Sequence, residues 1–243
     1  MADLLDEVLD RLEKVSVTDD WSDEEIIERY DNAAPHPDCP DIFGYPGSVR
    51  ILSDDTVCKA SGSASLILAE VNALEFVRAH TSIPVPQVRR VLTGPTRSRF
   101  LMEYIKGRPL ARLWLCMTLW QRFIVAWTLR SYIRQLRVAS AAYERRTVPG
   151  PMGDSPQGFF TPLWMFGDRF KGPYNTWAEF CDELNRRYGK RGLGLFNPTE
   201  DLVLTHGDLT ARNIVVGEDG RLWLVDWGMS GFYPPFVYWL LSC

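Results

Sequence analysis

Three oxygen-bearing residues near the C-terminal end of the chain, Asp208, Asn213 and Asp226, stand at spacings suited to holding a divalent cation. The dipeptide Asp219-Gly220 lies between two apolar runs, Ile214–Val216 and Leu222–Val225, and is preferred in two-residue type I′ turns. With those two residues as the turn, Ile214 faces Val225, Val216 faces Trp223, and Asn213 faces Asp226. Side chains alternate along a strand, so the apolar pairs cover one face while Asn213 and Asp226 meet at the mouth of the hairpin. An amide oxygen and a carboxylate are hard ligands suited to Mg²⁺. Asp208, five residues before Asn213 on the connecting segment, reaches the same point. A lone Asn or Asp at a strand end is usually a turn former. Three such residues in register with His206 make coincidence a poor explanation. His206 itself is expected to be structural, fixing the backbone by hydrogen bonds.

The elements that must position these residues follow from pattern. Residues 1–30 are charged and helical in pattern, and Asp31–Gly47, rich in Pro, Gly and Asp, reads as irregular chain. Val49–Leu52 and Thr56–Lys59 are short strands around Ser53-Asp54-Asp55. A helix follows from about Ser65 to His80, with Ile67, Val71 and Leu74 along one stripe. Ile83-Pro84-Val85-Pro86 is extended, because proline disfavours helix at the residue before it. Val88–Leu92 and Arg99–Tyr104 pair through the Gly94-Pro95 turn. Beyond Gly107 the character becomes helical, with Leu110–Leu115, Leu119–Ala139 and Thr176–Tyr188. Leu119, Phe123, Ala126, Ile133 and Leu136 mark the expected buried face of the longest helix. The long Pro149–Pro173 segment reads as a functional loop. The fold class is therefore α+β in two lobes. The expected division is an N-terminal extension over 1–47, a β-rich lobe over 48–106 and a mostly helical lobe over 107–243, hinged near Ile105–Gly107.

Bulk properties narrow the function. The chain has 243 residues, 46% of them hydrophobic, and a net charge of −4, which opposes nucleic-acid binding. No apolar run approaches the ~20 residues of a membrane helix, so no membrane partner is expected. The acidic N-terminus lacks the pattern of a signal peptide. Five scattered cysteines without C-x-x-C spacing suggest neither a disulfide framework nor zinc. A reducing, cytoplasmic location is the expectation, and composition leaves the oligomeric state open.

The run Leu204-Thr205-His206-Gly207-Asp208-Leu209-Thr210-Ala211-Arg212-Asn213 resembles the H-G-D-x-x-x-x-N loop of the aminoglycoside phosphotransferase and choline kinase family. Val225-Asp226-Trp227-Gly228 is similar to that family's D-x-G metal motif. The resemblance implies a protein kinase-like fold and the cofactors ATP and Mg²⁺. It implies that Asp208 is the catalytic base for the substrate hydroxyl, and that Asn213 and Asp226 hold the metal on the phosphates. Such catalysis works chiefly by positioning and charge neutralisation.

The same resemblance calls for a strand lysine and a helix glutamate in the first lobe. Lys59 ends the alternating strand Thr56-Val57-Cys58-Lys59. On the following helix Glu70 lies beside Ile67, Val71 and Leu74, whereas Glu75 lies beyond the stripe, so Glu70 is the expected partner. Met102-Glu103-Tyr104-Ile105 resembles the hinge, where the backbone of Glu103 and Ile105 would bind adenine. Phe43-Gly44-Tyr45-Pro46-Gly47-Ser48 is the candidate phosphate-covering loop.

Gly207 replaces the arginine found in many regulated protein kinases, and no activation loop fits between Asp226 and Phe232-Tyr233-Pro234-Pro235. A small-molecule hydroxyl acceptor is favoured, and the sequence does not choose which. Asp154, Asp168 and Glu179 are acidic residues that could attract a cationic acceptor, although such residues are more often solvated surface. The family pattern continues beyond its D-x-G motif, so a C-terminally short second lobe is expected. That leaves the apolar stretch Phe236–Cys243 under-covered and the acceptor pocket incomplete. The leading reading is an ATP- and Mg²⁺-dependent small-molecule kinase. The alternative is a nucleotide-binding pseudokinase or regulatory relative with little turnover.

Overall fold

Alternation of side chains along the first strands builds two thin cores on opposite faces of one sheet. The computed structural model describes residues 16–38, 48–143, 148–153, 159–160, 170–188 and 201–234. Strands β1 (Val49–Ile51), β2 (Thr56–Ser61), β3 (Val88–Leu92) and β4 (Ser98–Glu103) form an antiparallel sheet in the order β1-β2-β4-β3. Val57, Phe100 and Met102 face helix α2 (Ala64–His80) and its Ile67, Val71 and Leu74. Cys58, Ala60 and Leu101 face the other way, onto Ile26 and Tyr30 of α1 (Asp23–Asn32). Burial on both faces leaves this sheet without a solvated side. The segment before α1 is anchored as well. Ser16 caps a 3₁₀ turn at Val17–Asp20, and its hydroxyl bonds the side chains of Asp55 and Thr56 at 2.9 and 3.0 Å.

After β4 the chain passes through Tyr104–Lys106 into a strand that the sequence pattern did not reveal, β5 (Gly107–Pro109). Helix α3 (Leu110–Leu113) and a 3₁₀ turn at Trp114–Cys116 stand where one helix over Leu110–Leu115 was expected. The long helix α4 (Leu119–Ala139) begins at a capping box of Thr118 and Gln121. Two short strands, β6 (Phe159–Phe160) and β7 (Phe170–Lys171), pair with each other, and α5 (Trp177–Tyr188) follows. The remaining strands are β8 (Val203–Thr205), β9 (Ile214–Gly217), β10 (Leu222–Leu224) and β11 (Gly231–Tyr233). They make the sheets β10-β9-β5 and β11-β8. Among the described residues no helix is long and apolar enough to cross a membrane. Met1–Arg11, the glycines of Phe43–Ser48, Asp154, Asp168 and Phe236–Cys243 lie outside the described residues.

The expected buried face of the long helix holds at its C-terminal end, where Leu136 is buried and Ile133 partly so, and fails toward its start. Leu119, Phe123 and Ala126 are exposed, whereas Val125, Tyr132, Leu136 and Ala139 are buried. Apolar residues occur on both sides of this helix, so periodicity alone selects no unique stripe. Tertiary partners select it instead: Ser140 at the helix end takes a hydrogen bond from the Leu204 N–H at 2.7 Å, and the Tyr132 hydroxyl donates to the Leu222 carbonyl at 3.1 Å. Those two bonds tie α4 to β8 and β10, the strands that carry the site. On the outer face Trp120, Phe123 and Trp127 stack on one another at centroid separations of 5.5 and 6.1 Å.

This orientation predicts opposite outcomes for two substitutions in one helix. Leu136→Ala is expected to lower stability by about 2–5 kcal/mol through loss of burial and a residual cavity. Phe123→Ser is expected to change it by no more than about 0.5 kcal/mol. Urea denaturation of both variants checks this, and a larger loss from Phe123→Ser than from Leu136→Ala would show that the side of the helix carrying Phe123 is the buried one.

Candidate functional site

The connecting loop is shaped by one glycine and one histidine. Strand β8 delivers Thr205 and His206 to the protein interior, and Gly207 then adopts φ +82°. A Cβ on Gly207 would lie 2.0 Å from the Met229 carbonyl oxygen, so this position excludes any side chain on both conformational and steric grounds. Fully buried His206 bonds the Val225 carbonyl through Nε2 at 3.1 Å, and its Nδ1 accepts the Asp208 N–H at 3.4 Å. One nitrogen donates and the other accepts, which defines the neutral Nε2–H tautomer. Burial pushes the His206 pKa down to about 4, although the Asp226 and Asp208 carboxylates pull it upward. His206 is thus a neutral clamp between the loop and the end of the hairpin.

Asp208 is held by its own loop. The Asn213 amide donates to the Asp208 carbonyl and to Asp208 Oδ2, both at 2.9 Å, and Arg212 Nη2 donates to the same Oδ2 at 2.9 Å. A 3₁₀ turn at Ala211–Asn213 makes these contacts possible. Asp208 Oδ1 and Asn213 Oδ1 accept no hydrogen bond among the described residues.

The hairpin is not closed as the Asp219-Gly220 dipeptide suggested. Leu222 pairs with Val216, Trp223 with Val215 and Leu224 with Ile214, one residue out of the expected register. The loop has three residues, Glu218-Asp219-Gly220, with the Gly220 N–H bonded to the Gly217 carbonyl at 2.9 Å and Gly220 at φ +78°. A type I′ turn demands positive φ at both central residues. The third loop residue spares Asp219 that strain, and its carboxylate instead accepts the Arg221 N–H and the Trp223 indole. Asn213 therefore faces Val225, whose N–H donates to the Asn213 carbonyl at 3.0 Å. Asp226 follows one residue later at φ +62°, a left-handed conformation that few non-glycine residues adopt.

That turn brings Asp226 to the first lobe. Lys59 Nζ lies 2.7 Å from Asp226 Oδ1 and 2.8 Å from Glu70 Oε1. Glu70 is 3% exposed and also takes a backbone hydrogen bond from Trp227, while Glu75 is exposed on the helix surface. The expected pairing of Lys59 with Glu70 rather than Glu75 is what the geometry shows. Burial alone would lower the Lys59 pKa, but Asp226 and Glu70 outweigh it and hold the ammonium charged. Lys59 in turn holds the Asp226 carboxyl below its ordinary range. Burial pushes Glu70 the other way, upward. Gly228 stands against the same group, since a Cβ there would lie 3.2 Å from Glu70 Oε2 and 3.3 Å from Lys59 Nζ. The half-exposed Asp226 side chain keeps Oδ2 open.

The other expected positions are more dispersed. Glu103 ends β4, with its N–H bonded to the Gln87 carbonyl at 2.8 Å. Ile105 is half-buried in the connection to β5, and its backbone groups have no partner among the described residues. Glu179 is committed to its helix start. It caps its own helix, accepting the Asn175 N–H at 2.8 Å while its N–H donates to Thr176. Arg212 carried a signal that sequence reasoning passed over, a cation four residues after Asp208. Among the described residues no three His, Cys, Asp or Glu side chains cluster as a metal site, and an Asn–Asp pair is outside that pattern.

Two stability measurements test this arrangement. Lys59→Met leaves buried Glu70 without its cation and is expected to cost about 3 kcal/mol, most of which Lys59→Met with Glu70→Leu should recover. Additive losses in a denaturation cycle would show that the pair is not coupled. Above pH 6.5 His206 is neutral whether folded or unfolded and contributes no pH dependence. As the pH falls from 6.5 toward about 4 the unfolded state takes up the proton and the folded state does not, so stability falls. The slope from this group reaches at most about 1.4 kcal/mol per pH unit. Subtracting the pH profile of His206→Gln from that of the unaltered chain should isolate it; parallel profiles would mean that His206 titrates normally.

Comparison with known proteins bears on the fold. A model described as the phosphotransferase enzyme family matches residues 162–237, under a third of the chain. No curated protein matches the sequence. The gentamicin–APH(2")-IIa complex superposes with a TM-score of 0.50 at 16% identity, covering 89% of this chain and 73% of that one. The apo form of a thermostable mutant of aminoglycoside phosphotransferase APH(4)-Ia gives 0.50 at 13% identity, covering 77% and 64%. APH(3'')-Id from Streptomyces rimosus gives 0.45 at 17% identity, covering 77% and 70%. The chain has the protein kinase-like fold of the aminoglycoside phosphotransferases, and over residues 162–237 it carries the sequence pattern of the phosphotransferase enzyme family.

Proposed function

We propose that this protein is an ATP- and Mg²⁺-dependent phosphotransferase that moves the γ-phosphate of ATP to a hydroxyl group of a small molecule. The observation that carries the reading is Lys59 Nζ held between Glu70 and Asp226, beside a loop that presents the Asp208 carboxylate. A lysine fixed by a buried carboxylate is suited to phosphate oxygens, which it meets as a point charge. The backbone of Glu103 and Ile105 is the proposed contact for adenine, and the unpartnered groups of Ile105 suit that role. A gentamicin complex among the proteins of this fold supports a small-molecule acceptor.

Asn213 Oδ1 and Asp226 Oδ2 are hard oxygen donors left open by the surrounding hydrogen bonds, so they fit Mg²⁺ as its protein ligands. Bound there, the ion would neutralise phosphate charge. The chain's own groups supply the rest. Asp208 Oδ1 accepts the hydrogen of the acceptor hydroxyl as the oxygen attacks phosphorus. The new O–P bond forms, the bond to the ADP oxygen breaks, and ADP leaves with the electron pair. Asn213 and Arg212 hold the other carboxylate oxygen, which fixes the direction of Oδ1, and His206 fixes the loop itself.

A thermal-shift titration tests binding and a transfer assay tests chemistry. Mg²⁺–ATP should raise the melting temperature of the unaltered chain and not that of Asp226→Ala. Asp208→Ala should keep the shift and lose about 10²–10⁴-fold in transfer. No shift at millimolar Mg²⁺–ATP would overturn the nucleotide reading, and undiminished transfer by Asp208→Ala would remove its role as base.

A further inference from the structure

Ahead of β1 the chain lays a further extended segment along the edge of the first sheet. Pro35 bridges Arg50 in antiparallel fashion, and the His36 N–H bonds the Val49 carbonyl at 2.9 Å. His36 is therefore opposite Val49, which is itself opposite Lys59. Directly opposed residues share one face of a sheet. The alternation is fixed independently by Arg50, whose guanidinium lies over the Tyr30 ring of α1 at 5.4 Å. Pro35 and Arg50 thus face α1, whereas His36, Val49 and Lys59 face the side on which Lys59 meets Asp226.

Two contacts carry this segment across to the second lobe. The His36 ring packs edge-on against Tyr104, with centroids 5.5 Å apart. Tyr104 lies between Glu103 and Ile105, the proposed adenine contacts, and its own N–H is fixed to the Asp55 carbonyl at 2.8 Å. Two residues on, Asp38 pairs with Arg112 of helix α3. The Asp38 N–H also bonds His36 Nδ1 at 3.1 Å, so ring and carboxylate belong to one turn. Helix α3 packs against the turn at Ala211–Asn213, which holds Asp208. The ion pair therefore ties the edge of the first sheet to the half that carries the base, beside the connection between them. Its side chains are 26% exposed at Asp38 and 64% exposed at Arg112. A pair this open to solvent is weak. It breaks and re-forms readily, as a tie that opens at every exchange of ligand requires.

We propose that the Asp38–Arg112 ion pair is a latch across the adenine end of the cleft. It opens for nucleotide to enter or leave and closes in both the empty and the loaded chain. The inference rests on the phosphotransferase reading above and adds a control on nucleotide exchange. Such a latch multiplies the entry and exit rates by the same open fraction, so it sets rates and leaves affinity alone. A direct phosphate ligand would change affinity, and a purely structural residue would change stability.

Stopped-flow binding of a fluorescent ADP with Mg²⁺ gives both rate constants. Asp38→Asn and Arg112→Gln are each expected to raise both about two- to fivefold, the range for a partly exposed ion pair, with Kd changed by less than about twofold. The reversed pair, Asp38→Arg with Arg112→Asp, should return both rates toward those of the unaltered chain. The His36 amide makes the same comparison without nucleotide, because its bond to Val49 lies within the latched segment. Its hydrogen exchange in the empty chain should quicken in each single variant and slow again in the reversed pair. Unchanged rates in Arg112→Gln, a loss of affinity confined to that variant, or a reversed pair that folds and restores neither measurement overturns the inference. Absence of the Mg²⁺–ATP thermal shift is a different result. It overturns the functional reading, and His36 exchange still decides whether the latch exists.

Discussion

One ammonium group joins parts of the chain that are far apart in sequence. Lys59 lies on a central strand of the first sheet, yet its Nζ contacts both Glu70 on the neighbouring helix and Asp226 at the far end of the hairpin. Glu70 is too deeply buried to remain charged without a cation, and Lys59 is too enclosed to remain charged without its two carboxylates. Each partner therefore depends on the others being in place. The consequence reaches the backbone: Asp226 is held at positive φ, and a Cβ on Gly228 would press on Glu70 and Lys59 at 3.2 and 3.3 Å. Local strain of this kind persists where surrounding contacts over-determine it.

The loop that presents Asp208 is built on the same principle with neutral groups. His206 bonds Val225 on one side and Asp208 on the other, so the position of Asp208 is referred to the residue next to Asp226. Gly207 lets the loop pass the Met229 carbonyl. The two halves of the candidate site thus meet at Val225–Met229. A shift in that segment would disturb the lysine pair and Asp208 together, which makes the site cooperative rather than a sum of separate residues.

Much of this was legible along the chain because motif residues are local. Asp208, Asn213 and Asp226 stand at fixed spacings, and the stripe of Ile67, Val71 and Leu74 selected Glu70 over Glu75. The errors share a physical cause. Asp219-Gly220 serves a two-residue or a three-residue hairpin equally well, and avoidance of positive φ at Asp219 decided for the longer loop. The long helix has apolar residues on both sides, so its buried face was chosen by β8 and β10 rather than by its own periodicity. Strand β5 is too short to show alternation and exists because β9 offers an edge.

Sequence by itself determined which side chains are available for chemistry and the order in which they occur, because hard oxygen donors, glycines and apolar stripes are properties of residue type and spacing. Only the tertiary structure decided which oxygen of Asp208 is free, that Lys59 bridges two carboxylates, and that Arg212 bonds the other oxygen of Asp208. Those facts are distances between groups remote in sequence or fixed by one turn, and they follow from packing and charge pairing that no local pattern records.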